Sequence, residues 1–352
     1  MYSDSDLQDA VTAGALSPQA AQALRDHVAR SRATVAVDEE QFRLLTGFND
    51  IFVAIASVIL LVALGWLGNS MRFGAPEYQP AFMSGLLVAA ASWGLAEYFT
   101  RRRRMALPSI LLLCGFVGGI TFAAGAIGAQ IWPHAGDRTA ALILSAAAAV
   151  GAASASLHWR RFMVPITVAA GAAAGAGVVA GLVIAAFPDN RTLPFLMLLA
   201  SGLAIFLLAM RWDMTDRARL TRRSDVAFWL HLAAAPMIAH SLFHLLGVLD
   251  GGEIGAGRAL LVVALYIAFG LVALAIDRRA LLVSSLAYVL FALYALFKQA
   301  GAVELSWALT SLVIGSALLL LSALWHQARS IIVNGLPPAL TDRLPYLDRA
   351  PA

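Results

Sequence analysis

One cysteine, one lysine and a charged fraction of only 13% set the first limits on this 352-residue chain. Cys114 has no second thiol to pair with, so an intrachain disulfide is excluded and the residue reads as small apolar packing. A water-soluble domain carries about a quarter charged residues, roughly twice what is present here. Chemical motifs are equally scarce. There is no HExxH, no paired-cysteine spacing, no Ser/His/Asp order and no glycine-rich phosphate loop. These absences leave an enzyme unsupported without excluding one, so the reading leans to a non-catalytic chain, and no cofactor is expected. The first forty residues also lack a short apolar core behind a basic start, so no cleaved signal peptide is expected.

What the chain has instead is apolar length. Hydrophobic residues make up 60% of it and the mean hydropathy is +0.77, which predicts an all-α polytopic membrane helix bundle embedded in a lipid bilayer. Runs of spanning length fall near 48–68, 80–99, 106–131, 138–157, 163–187, 192–210, 225–248, 259–276, 279–297 and 304–325, giving about ten transmembrane helices. The net charge of +4 and pI near 9.6 do not indicate nucleic acid, because the basic residues sit in short clusters between apolar runs.

Those clusters alternate. One set of segments holds Arg25, Arg30, Arg32 and Arg43; Arg101 to Arg104; Arg160 and Arg161; Arg211, Arg217, Arg219, Arg222 and Arg223; Arg278 and Arg279; and Arg329, Arg343 and Arg349. The intervening loops hold one basic residue each: Arg72, Arg138, Arg191, Arg258 and Lys298. The positive-inside rule then predicts ten spans with both termini cytoplasmic. The run Arg101–Arg104 anchors the third span, whose Gly115, Gly118, Gly119, Gly125 and Gly128 leave its backbone open to close approach and predict an interior helix.

Outside the membrane, residues 1–37 predict a cytoplasmic helical hairpin, with Ser5 capping the first helix, Gly14 ending it, and Ser17 and Pro18 starting the second. Leu7, Val11, Leu16, Ala20, Leu24 and Val28 would form its apolar seam. So small a hairpin is expected to dock on the membrane domain, on a protein partner or on a second copy of the chain. A further helix start is expected at Asp38, ahead of a membrane domain over 38–326. The segment 327–352, with Pro337, Pro338 and Pro345, is expected to run extended along the cytoplasmic surface.

Three groups of polar residues are candidates for a site. In the seventh span Pro236 falls mid-helix between His231 and the pair His240 and His244, a position where interrupted helices of transporters place ion sites. His240 and His244, with Asp250 and Glu253 beyond them, could bind a metal or relay protons, although helix-to-helix hydrogen bonding explains the histidines more simply. At the inner rim, Asn49 and Asp50 of the first span and Glu97 at the end of the second could approach one another or Arg101, with structural pairing favoured over ion coupling. Near the outer end of the third span, Gln130, Trp132, His134 and Asp137 make a polar mouth.

The stretch GITFAAGAIGAQIWPHAGD, together with Ala-Gly-Ala-Leu-Ser-Pro between the short N-terminal helices, resembles an uncharacterised bacterial family of multi-pass membrane proteins that carries a domain of unknown function. Gln130, Gly136 and Asp137 match its recurrent positions. The resemblance implies a bacterial inner-membrane protein and no particular activity. Two readings compete on the residues: a non-catalytic accessory, scaffold or sensor protein, and a secondary transporter of a small solute built as five plus five helices of opposite orientation around the seventh span.

Overall fold

The computed structural model describes residues 7, 10–33, 48–73, 79–219, 221–248, 255–302 and 304–347, and among them every regular element is a helix. The chain divides into two compact units: Met1–Gln41 with Tyr346–Ala352, and Phe42–Pro345.

In the first unit, α1 spans Pro18–Ala33. Gly14 adopts φ +72°, a left-handed turn conformation that suits glycine, and the Ala20 amide donates to Ser17 Oγ at 3.1 Å, the expected cap. Among the described side chains of α1, Ala21 is buried and Ala20, expected in the apolar seam, is exposed. Ser5 and the helix start expected at Asp38 lie outside the described residues.

The second unit contains the ten spans: α2 Phe48–Ser70, α3 Phe82–Phe99, α4 Ala106–Ile131, α5 Asp137–Phe162, α6 Ile166–Ala186, α7 Leu193–Met214, α8 Arg222–Leu245, α9 Ala256–Ile276, α10 Ala280–Gln299 and α11 Ser306–Ala323. All are long and apolar enough to cross a bilayer, and the chain is a multi-pass membrane protein. One face of α2 exposes Phe52, Ile55, Ile59, Val62 and Trp66 at helical spacing, an apolar stripe suited to acyl chains. Two helices outrun their apolar stretches. α5 continues past residue 157 to Phe162 and α7 past residue 210 to Met214, so His158 and Asp213 are helical residues and not loop residues.

Packing among α2–α6 is dominated by sequence neighbours, with α3 against α4 and α5 against α6. α6 then contacts α7 and α8, and α8 packs closely on α7 and α10, whereas its backbone stands off from α9, its successor in sequence, which it meets through side chains such as Phe243 against Phe269. Close approach of α3 and α4 is mutual at two glycines. A Cβ on Gly119 would lie 2.6 Å from the Gly85 carbonyl oxygen and 3.0 Å from the Ala89 amide, and one on Gly85 would strike the Gly119 carbonyl. Gly118 faces open space, and Gly125 has only ordinary contact with Ala147. Small residues therefore matter on the face of α4 that meets α3, and Gly128 leaves room for Ile143 of α5 on another. Ser84 Oγ on α3 adds a bond to the Gly65 carbonyl of α2, and Ser145 Oγ on α5 one to the Val178 carbonyl of α6.

The most enclosed span is α8, with 56% of an 18-residue apolar stretch buried, against 33% for α4. The interior position expected of the third span is held more completely by α8. Val226, Leu230, Ala234, Ala235, Ile238, Ala239 and Phe243 of α8 meet Ala169 and Ala176 of α6, Ile205 and Ala209 of α7, Phe269 of α9 and Ala292 of α10. α8 also remains helical through Pro236, so the interruption suggested by that proline does not occur.

The segment after α11 is a second correction. It is helical, with α12 over Trp325–Asn334 and the single turn α13 over Pro338–Thr341. Trp325, Arg329 and Val333, four residues apart, form the buried face of α12. Trp325 packs with Ala273, Leu274 and Leu282 in a small core of its own.

Candidate functional site

Polar side chains stitch the arginine-bearing ends together. Arg161 at the end of α5 donates Nε and Nη2 to the two Glu97 oxygens at 2.7 and 2.9 Å, and Arg101 Nη1 reaches the same carboxylate at 3.4 Å. Arg222 Nη1 donates to the Met163 carbonyl at 3.4 Å, joining the α5–α6 turn to α8. Arg219 and Arg278 then tie the α7–α8 connection to the end of α9, and Arg329 ties in α12. Every arginine cluster from residue 101 to residue 329 thus gathers on one face. The opposite face is held by Gln130 Nε2 on the Pro80 carbonyl and Arg138 Nε on the Ala185 carbonyl.

The densest group lies where α7, α8 and the α9–α10 turn meet. Asp213, His231 and Arg278 are 1%, 3% and 4% exposed. Arg278 Nη2 donates to Asp213 Oδ1 at 2.8 Å and to the Ser224 carbonyl at 3.1 Å, while His231 Nε2 lies 3.1 Å from Asp213 Oδ2. A carboxylate only accepts, so the shared proton belongs to Nε2. Charge burial of this kind is tolerated only when each partner is satisfied by another. An Asp–His pair invites comparison with nucleophile activation, yet no hydroxyl or thiol bonds His231 among the described residues. The chemistry available is a charge clamp.

A second clamp adjoins it at Asp277, which closes α9 in the left-handed conformation at φ +57°. Its Oδ2 accepts from Arg219 Nη1 at 2.7 Å, its Oδ1 from Trp325 Nε1 at 2.8 Å, and Arg329 Nε stands 3.8 Å from Oδ1. Arg279 lies over the Trp325 ring at 4.5 Å. Arg329 Nη2 also donates to the Pro345 carbonyl, and Arg217 to the carbonyls of Leu344 and Thr341. Asp277→Ala is expected to destabilise the fold by about 2–4 kcal/mol, because it strands a buried guanidinium and an indole N–H, and to loosen the turns after α12. Limited proteolysis around Leu336–Arg343 and thermal unfolding read both effects.

The seventh-span candidates separate. His231 belongs to the clamp, whereas His240 lies nine residues, about 14 Å, along the helix. His240 Nδ1 is 2.7 Å from Tyr288 Oη on α10, and His244 stacks on Phe195 of α7 with ring centroids 3.5 Å apart. The two imidazoles thus address different partners. Asp250 and Glu253 lie outside the described residues, and among the described residues no group of three potential metal ligands converges. At the rim, Glu97 pairs with Arg161, a partner the sequence did not suggest, while Asp50 is buried in the first turn of α2 and Asn49 is exposed. Of the polar mouth, Gln130 bonds the Pro80 carbonyl, and Trp132, His134 and Asp137 are exposed.

His158 is a site the sequence reading passed over. It is fully buried, its Nδ1 is 3.3 Å from Thr167 Oγ1, and the rings of Trp93, Phe116 and Phe162 surround it. The available signal was the four-residue spacing of His158 and Phe162 beside an arginine pair. Comparison of the chain with protein-family models, curated proteins and solved structures finds no match in any of the three.

Proposed function

We propose that this chain is a non-catalytic accessory or scaffold protein of a bacterial inner membrane, with its arginine-rich face and both termini in the cytoplasm. The observation that carries the reading is the mutual engagement of ionisable groups within the spans. Asp213, His231 and Arg278 close on one another, Glu97 closes on Arg161, and His240 meets Tyr288, which leaves the bundle braced. Packing supports the same view. A five-plus-five carrier would match the α3–α4 contact with an α8–α9 contact, and α8 instead turns to α10. The arginine asymmetry supports the orientation. The resemblance of the Gln130–Asp137 region to the bacterial family agrees with it and adds no activity.

Two measurements test this. In proteoliposomes under an imposed pH or divalent-metal gradient, flux is expected to equal that of empty vesicles; a flux that falls on His240→Ala would make the protein a carrier. In a Cys114→Ala background, single cysteines at Ser31 and Ser330 are expected to react with an impermeant maleimide only after the inner membrane is opened. Labelling of either in intact spheroplasts would reverse the orientation.

A further inference from the structure

The arginine-rich face contains a cleft of about 380 Å³ between the α3–α4 turn, the α5–α6 turn and the start of α8. Four guanidinium groups line it, from Arg101, Arg104, Arg161 and Arg222. Ile110, Phe162 and Trp229 give part of its lining an apolar character. We propose that this cleft binds a phosphate-bearing anion of two or more negative charges, with its phosphates on the arginines and an apolar portion against Phe162 and Trp229.

The charges do not balance within the protein. Glu97 is the one carboxylate that ion-pairs with a lining arginine among the described residues, and it engages Nε and Nη2 of Arg161 and Nη1 of Arg101. Arg104 has no ion-pair partner among the described residues, and Arg222 has only the long bond to the Met163 carbonyl and the nearby charge of Asp225. Guanidinium forks match the oxygens of phosphate in pairs, which suits several arginines to one polyvalent anion. The cleft volume is that of an ordinary small-ligand site.

Backbone geometry points the same way. Arg104 and Met163, one in each turn, both occupy the left-handed region at φ +54°, where residues with side chains are uncommon. Arg104 stands at the end of its turn, just before the start of α4, and Met163 opens its own, just after α5, and such conformations gather at binding sites. The placement between helix ends, with arginines and apolar side chains lining one cleft, is the arrangement by which basic pockets hold anionic lipid headgroups. A soluble diphosphate offers the same charge without the acyl chain. The inference does not depend on the accessory reading, since a carrier could hold the same anion.

Native mass spectrometry of the full-length protein in a mixture of cardiolipin and phosphatidylcholine distinguishes these cases, alongside calorimetric titration with inorganic pyrophosphate. Cardiolipin is expected to be retained over phosphatidylcholine, with the preference falling about tenfold in Arg104→Ala/Arg222→Ala. It should fall less in the corresponding lysine pair, and remain unchanged in Arg102→Ala, whose guanidinium does not line the cleft. Pyrophosphate binding that is weakened by salt and lost in the double alanine variant, without cardiolipin preference, would assign the site to a soluble ligand. If the folded double alanine variant matches the wild type for both probes, the proposal is overturned.

Discussion

Arg278→Leu is expected to cost about 3–5 kcal/mol of stability, among the largest effects of any single substitution outside the membrane-facing surface. The mutation removes both bonds from the guanidinium to Asp213, Nη2 to Oδ1 at 2.8 Å and Nε to Oδ2 at 3.4 Å, and leaves a carboxylate that is 1% exposed with His231 as its nearby partner. Coulomb attraction alone does not make the native pair valuable, since both groups lose their hydration on burial. What is costly is breaking it singly. The double variant Asp213→Leu/Arg278→Leu should therefore recover much of the loss, and its effect should fall well short of the sum of the single effects. Unfolding followed by tryptophan fluorescence in detergent gives the cycle. Additive losses would mean that the two groups do not act as a pair.

Gly119→Ala is the second large effect, about 2–3 kcal/mol, and it acts by the opposite route, adding atoms where none fit. The new Cβ meets the Gly85 carbonyl oxygen and the Ala89 amide, both backbone atoms that cannot rotate away, so α3 and α4 must separate. Gly118→Ala, one residue earlier and facing open space, should change stability by no more than about 0.5 kcal/mol. The contrast between adjacent glycines is the test. Equal effects would show that helix propensity, and not contact between the two backbones, governs this helix.

The same pair shows how far sequence reading reached. The richness of α4 in glycine was plain, and so was the likelihood of close packing, but spacing alone could not say that Gly119 touches a neighbour while Gly118 does not. Asp213 and His158 were missed for a single reason. Hydropathy ends a span at its first polar residues, at 210 and 157, whereas the helices continue because their backbone bonds do not depend on side-chain polarity and the polar groups find partners on adjacent helices. Trp325, Arg329 and Val333 carried a readable four-residue period, which the prolines downstream obscured.

Composition by itself determined that the chain is helical and lies in lipid, because a backbone with this little polar cover must satisfy its own hydrogen bonds wherever water is absent. The alternation of arginine clusters likewise determined which helix ends share a face. Only the tertiary structure decided what those arginines do there. A guanidinium is an anchor, a clamp or the lining of a cleft according to which carboxylate stands within 3 Å of it, and that is set by contacts between helices far apart in the chain: Arg278 meets Asp213, Arg161 meets Glu97, and Arg104 faces a cleft.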